Sequence, residues 1–312
     1  MAVLKKVKPK VSIIIINYGK EYFIKKCLDS ISKSNYPNKQ IIVIDNNRKN
    51  LGYAGACNRG AKKANGEYLF FLNNDITLNK KTISLLVKKL QSDPKITIAG
   101  GTIKDYDNKK ILHKNLGIDI FGFPLTSRKS FYVEGSAIMI KKKVFKKLYF
   151  DSDYFMFHED IDLAWRARLL EYKIGFTNNA YIYHWGGLSA GGRPSEKHKY
   201  KTTYLRRFFS ERNNLTTLLK NYSSLALFFI LPFYLLINIA EAIFFLCLGD
   251  FKAINCYLES YLWNIKHLKN TLKKRRKIQK QRKVSDFQII KNMYFGSAKL
   301  LSFIKVGIPK FS

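Results

Sequence analysis

Three short runs of β-branched or aromatic residues each stop at a polar side chain. They are Val11-Ser-Ile-Ile-Ile-Ile-Asn17, Gln40-Ile-Ile-Val-Ile-Asp45 and Tyr68-Leu-Phe-Phe-Leu-Asn-Asn-Asp75. Runs this short and apolar read as strands, the first and third of them buried. Between them Glu21 to Ser32 carries Phe23, Ile24, Cys27, Leu28 and Ile31 at the spacing of an amphipathic helix. Tyr53 to Ala64 reads as a helix of small residues, and another helix runs from about Asn79 to Gln91. Ile96 to Ile103 is a fourth strand. Strands separated by helices predict a mostly parallel sheet with right-handed crossovers. Ligands bind such sheets beyond the C-terminal strand edges, where Asn17, Asp45 and Asp75 fall. A carboxylate there is placed to hold a divalent cation on a phosphate-bearing ligand. The plainer reading of the third run is a strand followed by a helix that Asp75 or Thr77 caps.

Further along, Lys104 to Ser130 is irregular, and Tyr132 to Ile140 resumes a strand. His158-Glu159-Asp160 opens an amphipathic helix with Ile161, Ala164, Trp165, Ala167 and Leu170 inward. Lys173 to His184 is a strand that Trp185-Gly-Gly187 breaks, and Gly191, Gly192 and Pro194 predict a flexible loop. After about residue 200 the composition changes. Leu225 to Gly249 is apolar, interrupted by Pro232, Asn238 and Glu241. Lys266 to Lys283 then holds ten Lys/Arg and no acid, and Phe287 to Val306 shows apolar residues at helical spacing.

A chain of 312 residues can hold one large domain with an appendage, or two domains. Its 56 Lys+Arg against 22 Asp+Glu give a net charge of +34, which draws it towards polyanions: nucleic acid, anionic lipid or phosphorylated substrates. No helix-turn-helix, RRM or finger signature accompanies that charge, and the basic run neighbours an apolar segment, which favours membrane over nucleic acid. Cys27, Cys57, Cys247 and Cys256 form no CxxC pair and no zinc spacing, as suits a reducing cytosol. Lys5, Lys6, Lys8 and Lys10 precede only a short apolar run, so the N-terminus does not read as a secretory signal.

The residues with chemistry are Asp45, Asn73 to Asp75, His158 to Asp160, and His184. Asp45 can accept hydrogen bonds from a nucleoside. Asp75 can bind a metal that bridges two phosphates, and His184 can give that metal a nitrogen ligand. Glu159 and Asp160 sit at a helix start, where the dipole favours the anion and a carboxylate can act as general base. Their plainer readings are a charged first helical turn and a strand-end histidine.

Taken in order, Val11 to Tyr18, Val43-Ile-Asp-Asn-Asn47, Asn50-Leu-Gly-Tyr-Ala-Gly-Ala-Cys-Asn-Arg-Gly60, Leu72-Asn-Asn-Asp75, Val133-Glu-Gly-Ser-Ala137, Phe157-His-Glu-Asp-Ile-Asp-Leu163 and His184-Trp-Gly-Gly187 resemble the family-2 inverting glycosyltransferases, closest to the rhamnosyltransferase-like subgroup. The resemblance covers roughly residues 10 to 220. It implies an α/β GT-A nucleotide-sugar-binding fold with a mostly parallel central sheet. It also implies transfer of a hexose or deoxyhexose from a nucleotide-diphosphate donor, with Mg²⁺ or Mn²⁺, to a hydroxyl of a lipid-linked or glycan acceptor in cell-surface polysaccharide or glycoconjugate synthesis. By motif position Asp45 contacts base or ribose, and Asn17, Asn47, Gly52, Asn58 and Asn74 line the nucleotide pocket. Asp75 is the last acid of the family's metal-binding Asp-x-Asp pattern, whose first acid is here Asn73, which raises the importance of His184 as a metal ligand. Asp160 matches the catalytic base. Glu134, Gly135 and Glu159 lie near sugar or acceptor, and Arg206, Arg207 and Arg212 assist the diphosphate.

Expected domains are therefore 1–220, catalytic, and 221–312, helical and membrane-associating. Leu225 to Gly249 is long enough to span a bilayer. A span would put the basic run outside, against the positive-inside tendency, with Lys201, Arg206, Arg207, Arg212 and Lys220 flanking the other end. The expectation is an in-plane or re-entrant helical hairpin at the cytoplasmic face, peripheral or monotopic, on an anionic membrane surface, with self-association as a further expectation. The competing expectation is a basic membrane- or nucleic-acid-binding protein without transferase activity.

Overall fold

The computed structural model describes residues 8–186, 201–307 and 310–311. The predicted glycine-rich loop after Trp185-Gly186, including Gly187, Gly191, Gly192 and Pro194, lies outside them, as do Lys5 and Lys6. Two compact units divide the chain: Met1–Lys114, Val133–Phe155 and Lys173–Trp185, and Asn115–Tyr132, Met156–Tyr172 and Gly186–Ser312.

The first unit is built on one sheet. In chain order its elements are β1 (Val11–Asn17), α1 (Glu21–Ser32), β2 (Lys39–Asp45), α2 (Gly52–Lys63), β3 (Tyr68–Asn73), β4 (Ile76–Leu78), α3 (Thr82–Gln91), β5 (Ile96–Asp105), β6 (Ile111–His113), β7 (Ala137–Lys141), α4 (Lys142–Leu148) and β8 (Lys173–His184). The eight strands run β2-β1-β3-β7-β5-β8-β4, with β6 paired to β5. β1 pairs in parallel with β2 and β3, and β5 with β8; β7 is antiparallel to β3 and β5, so the sheet is mixed. Alternating residues of β1 explain the layers. Val11, Ile13 and Ile15 pack with Ile24, Cys27 and Ile31 of α1 and with Ile83, Leu86 and Leu90 of α3. Ile14 faces the opposite side, where Gly60 of α2 comes so close that a Cβ would strike the Ile14 side chain.

Three local predictions change. β4 intervenes between β3 and α3 and pairs antiparallel with β8, because Ile76 and Leu78 join the same core as β3. Neither Asp75 nor Thr77 caps α3; that position is Lys81, which makes no side-chain cap. The strand predicted from Tyr132 begins at Ala137, and the segment predicted as irregular contains β6 and a hairpin pairing Leu116–Ile118 with Pro124–Thr126.

The second unit holds that hairpin and α5 (Glu159–Leu169), α6 (Tyr204–Asn221), α7 (Ser224–Cys247), α8 (Phe251–Lys266), α9 (Leu268–Gln281), α10 (Asp286–Ile290) and α11 (Ala298–Val306). Hydroxyl or carboxylate caps set most of the helix starts: Thr203, Ser223, Asp250, Ser285 and Ser297 each accept from a backbone N–H of the first turn. The apolar stretch from Leu225 forms a single helix as far as Cys247, and Pro232 sits inside it. At the centre of this unit the fully buried Asp162 accepts from Arg166 at 2.8 Å, Lys220 at 3.0 Å and Asn221 at 3.1 Å. Lys220 is therefore an interior residue and not a membrane flank. Arg207 and Arg212 are buried as well, whereas Arg206 is exposed.

Replacing Lys220 with Met leaves the Asp162 carboxylate buried with one partner fewer. Breaking a buried pair from one side costs about 3–5 kcal/mol. Lys220→Met is expected to lower the denaturation midpoint accordingly, and the double change Asp162→Leu/Lys220→Met to recover part of the loss. Equal midpoints for Lys220→Met and the parent chain would show that the pair contributes nothing.

Candidate active site

Strand register assembles the first set of predicted residues. Asn17 of β1 lies opposite Asp45 of β2, Ile16 lies opposite Asn73 of β3, and His184 of β8 lies opposite Asp105 of β5 and Ile76 of β4. One edge of the sheet thus gathers Asn17, Asp45, Asn73 and, through β4, Asp75 and His184. Asn74 is buried and donates to the Asn17 side chain at 3.0 Å and to the Tyr18 carbonyl at 2.9 Å. Asp45 is exposed and accepts from the Asn47 backbone and side chain at 3.0 and 3.1 Å; these bonds hold its carboxyl below the usual range. Asn47 in turn accepts from Gly19 N–H at 2.9 Å.

Asn46 and Asn50 fold the next turn, Asn46 accepting from Leu51 N–H and Asn50 from Gly52 N–H, each at 2.9 Å. Gly52 has φ +67°, and a Cβ there would collide with the Phe155 carbonyl, so glycine is needed on both counts. Asn58 has a structural position: its amide donates to the Phe150 carbonyl at 2.8 Å and accepts from Phe150 N–H at 3.1 Å, tying α2 to that segment.

Asp75 and His184 form the polar centre. Asp75 is buried, its Oδ1 accepts no hydrogen bond, and that oxygen lies 3.3 Å from His184 Nε2. On the other side of the ring, Nδ1 is 3.6 Å from Glu134 Oε1. Burial opposes the charged imidazole, but Asp75, Glu134 and Asp105 outweigh it and raise the His184 pKa above its ordinary value. Ser136 donates to Glu134 at 2.9 Å, and the Tyr53 hydroxyl donates to the Gly135 carbonyl, so this segment is anchored to α2. Asp105 is a site residue that the sequence reasoning missed. It is buried at the end of β5 and accepts from Asp107 and Asn108 N–H at 2.9 and 3.0 Å. Its signal was the same as that of Asn17 and Asp45, a polar residue ending an apolar strand.

Among the described residues no group of three or more His, Cys, Asp or Glu side chains forms a complete cation cage. The donor set fits a shared site. An unbonded carboxylate oxygen and an imidazole nitrogen supply two ligands and leave the remaining positions to phosphate oxygens, as a hard divalent cation on a nucleotide prefers.

The second unit carries the other predicted acids. Phe157 and His158 both have φ of +64° where the chain enters α5, and Asn213 of α6 holds this turn by donating to the Met156 and Phe157 carbonyls at 2.8 Å. Strained backbone of this kind is costly and clusters at functional sites. Burial, with Arg206 as a lesser cause, lowers the His158 pKa to about 4, so the ring is neutral at pH 7. Glu159 is buried with Oε2 unbonded, and burial with the adjacent Asp160 charge raises its pKa well above normal. Asp160 is only partly buried and accepts from Ile161 N–H at 2.8 Å. Asp162 is engaged in its ion pairs.

The three arginines separate. Arg206 is exposed over the Phe157 ring at 5.2 Å. Arg207 is buried against Glu211 at 2.9 Å and Glu241 at 3.2 Å. Arg212 is buried between Phe209 and Trp263, 4.6 and 4.3 Å from their ring centres, and donates to Asn213.

Residues 46–149 match the family described as Glycosyl transferase family 2. A poly-β-1,6-N-acetyl-D-glucosamine synthase of Staphylococcus epidermidis is 24% identical over 204 residues, 55% of this chain and 49% of that protein. The low-salt glycan biosynthesis hexosyltransferase Agl10 of Haloferax volcanii is 27% identical over 227 residues, 62% of this chain and 70% of that protein. The chain spans about half the length of the first of these relatives. Among solved structures, the mannosyltransferase PcManGT of Pyrobaculum calidifontis, in complex with GDP-Man and Mn²⁺, aligns with a TM-score of 0.50 at 15% identity, covering 84% of this chain and 76% of that one. The sequence matches support a family-2 glycosyltransferase, and the fold is GT-A.

Proposed function

We propose that this chain is an inverting glycosyltransferase that moves a hexose or deoxyhexose from a nucleotide-diphosphate donor to a hydroxyl of a lipid-linked or glycan acceptor. The observation that carries the reading is the buried, unbonded Asp75 oxygen beside His184, at the edge where Asn17, Asp45 and Asp105 also end. The glycan-synthetic names of the two relatives favour polysaccharide or glycoconjugate synthesis. The rhamnosyltransferase-like motifs favour a deoxyhexose within that class. Residues 1–220 are the catalytic part, acting at the cytoplasmic face of the membrane.

Asp45, kept ionised by Asn47, accepts from the ribose or base. Asn17, Asn74 and the turn at Gly52 line the nucleotide pocket, and Glu134 orients His184 through Nδ1. Asp75 and His184 would hold Mg²⁺ or Mn²⁺, which when bound neutralises the diphosphate leaving group. Asp160 is the base. As the acceptor oxygen bonds to C1 from the face opposite the diphosphate, its proton passes to Asp160 and the C1–O bond to phosphate breaks. This single displacement inverts the anomeric centre. Burial and the adjacent Asp160 charge raise the Glu159 pKa well above normal, which counts against Glu159 as the base. Of the arginines, Arg206 is accessible to a diphosphate.

Three outcomes test this. Asp160→Asn is expected to keep nucleotide-dependent thermal stabilisation and to lose about 10²–10⁴-fold in turnover; near-parental turnover at saturating donor excludes Asp160 as the base. Across a panel of nucleotide sugars, Mn²⁺ or Mg²⁺ is expected to deepen donor-dependent stabilisation of the parent chain and to do so far less for Asp75→Ala. Equal donor affinity with and without metal in the parent chain removes both Asp75 and His184 from the role.

The third outcome is a pH dependence. The His184 pKa is raised, so without metal its charged form adds stability below the ordinary histidine pKa, and this is lost as pH rises through the raised value. A cation competes with that proton, so the metal-dependent part of donor stabilisation is expected to grow as pH rises over the same window, and His184→Gln to flatten it. A metal effect independent of pH in the parent chain excludes His184 as a ligand.

A further inference from the structure

Helix α7 has its polarity reversed. Tyr234, Asn238, Glu241 and Phe245 recur at spacings of four, three and four and face inward. Glu241 meets Lys299 at 2.7 Å and Arg207 at 3.2 Å, and Lys299 also reaches Glu211 at 2.8 Å and bonds to the Asn238 side chain. The outward face is Leu225, Phe228, Phe229, Phe233, Leu236 and Ile243, with Phe228 73% exposed. A helix in water buries the apolar side and exposes the polar one. Polar residues inward and apolar residues outward match an apolar surrounding phase.

The apolar exposure continues beyond α7. Phe251, Leu258, Leu262 and Ile265 form an exposed stripe on α8, and Ile304 of α11 is 78% exposed. Beside it lies a cationic stripe. Lys266, Lys269, Lys273, Arg276, Lys277 and Lys280 are exposed at spacings that keep them on one side of α8 and α9, with no acid between. The opposite side of α9 is taken up by α6, where Arg275 and Gln279 donate to the carbonyls of Leu219, Lys220, Asn221 and Tyr222. An apolar face bordered by unpaired cations complements hydrocarbon bordered by anionic headgroups.

The connectivity decides the orientation. At about 1.5 Å per residue α7 is long enough to cross a bilayer core of about 30 Å. Yet α6, which precedes it, and α8, which follows it, are bonded to each other: Ser260 donates to the Phe208 carbonyl at 2.9 Å and Asn264 to the Arg212 carbonyl at 3.0 Å. A span would carry α6 and α8 to opposite sides of the membrane. We infer that this surface docks on the anionic face of a lipid bilayer with α7 lying in one leaflet, kept from spanning by the α6–α8 bonds and by Lys299 on Glu211 and Glu241. The inference is independent of the donor-site reading, since nucleotide binding and lipid binding are measured separately.

The test uses the purified full chain and sealed vesicles of phosphatidylcholine, with or without phosphatidylglycerol. Flotation is expected with phosphatidylglycerol and weakened by salt. Phe228→Glu and Phe233→Glu are each expected to weaken it about tenfold or more. Lys273→Glu with Lys277→Glu is expected to cost about tenfold on anionic vesicles only. All are surface changes, so melting temperature should match the parent chain. Cys247 is the exposed cysteine, the other three being buried, so its reaction with an impermeant maleimide is expected to slow on anionic vesicles. External protease is expected to leave no protected fragment beyond residue 247. Undiminished flotation of the glutamate variants, absence of flotation by the parent chain, a protected C-terminal fragment, or a dimer that the glutamate variants dissociate in place of lipid binding would each overturn the inference.

Discussion

The parallel, in-register pairing of β1 with both β2 and β3 is the constraint on which the polar edge of the sheet depends. It follows from isoleucines that bury on both faces, four of them consecutive from Ile13 to Ile16. A strand buried on both sides has no solvent face to slip towards, and a one-residue shift would exchange the side chains packed on α1 with those packed on α2. Because the register is held, the polar residue that ends each strand arrives at the same level. Asn17 and Asp45 are direct partners, and Asn73 follows one step behind. The chemistry of the edge is thus a consequence of where the apolar runs stop.

The same unit shows how distant strands bring further polar side chains to Asp75. Asn73 stands where the related pattern has an acid, which leaves Asp75 as its one carboxylate. β4 turns directly after Asp75 and pairs with the end of β8, which brings His184 Nε2 to 3.3 Å. Glu134 and Asp105 then surround the imidazole with negative charge. A buried group with this many carboxylates around it favours a cation, whether a proton or a metal.

In the second unit the buried charges mark which acids are structural. Asp162 is enclosed by Arg166, Lys220 and Asn221, and Glu211 and Glu241 share Lys299 and Arg207. Such buried, ion-paired groups are expensive to disturb and unsuited to proton transfer. Asp160, two residues before Asp162, is partly exposed at the helix start. Its neighbour Glu159 has its pKa raised well above normal by burial and by that charge. Adjacent acids in one turn of helix therefore have three different characters.

The sequence by itself determined β1, β2, β3, β8 and α1 nearly to the residue, because period and β-branching are local properties: α1 runs from Glu21 to Ser32 as read. It also determined that polar residues would end the strands. It missed β4, since three residues carry too little pattern to separate a strand from a helix cap. It missed Asp105 as a site residue, although that residue obeys the same rule as Asp45. Whether a charge is exposed was decided only by the tertiary structure. Arg206, Arg207 and Arg212 look alike in sequence, yet the helical period turns Arg207 and Arg212 inward to Glu211 and to Trp263 and leaves Arg206 in solvent. Likewise Asn238 and Glu241 read as interruptions of an apolar helix. Only the fold supplies Lys299, from 58 residues further along the chain, to make them its inward face. Burial and partnership depend on residues far apart in sequence, and no local pattern contains them.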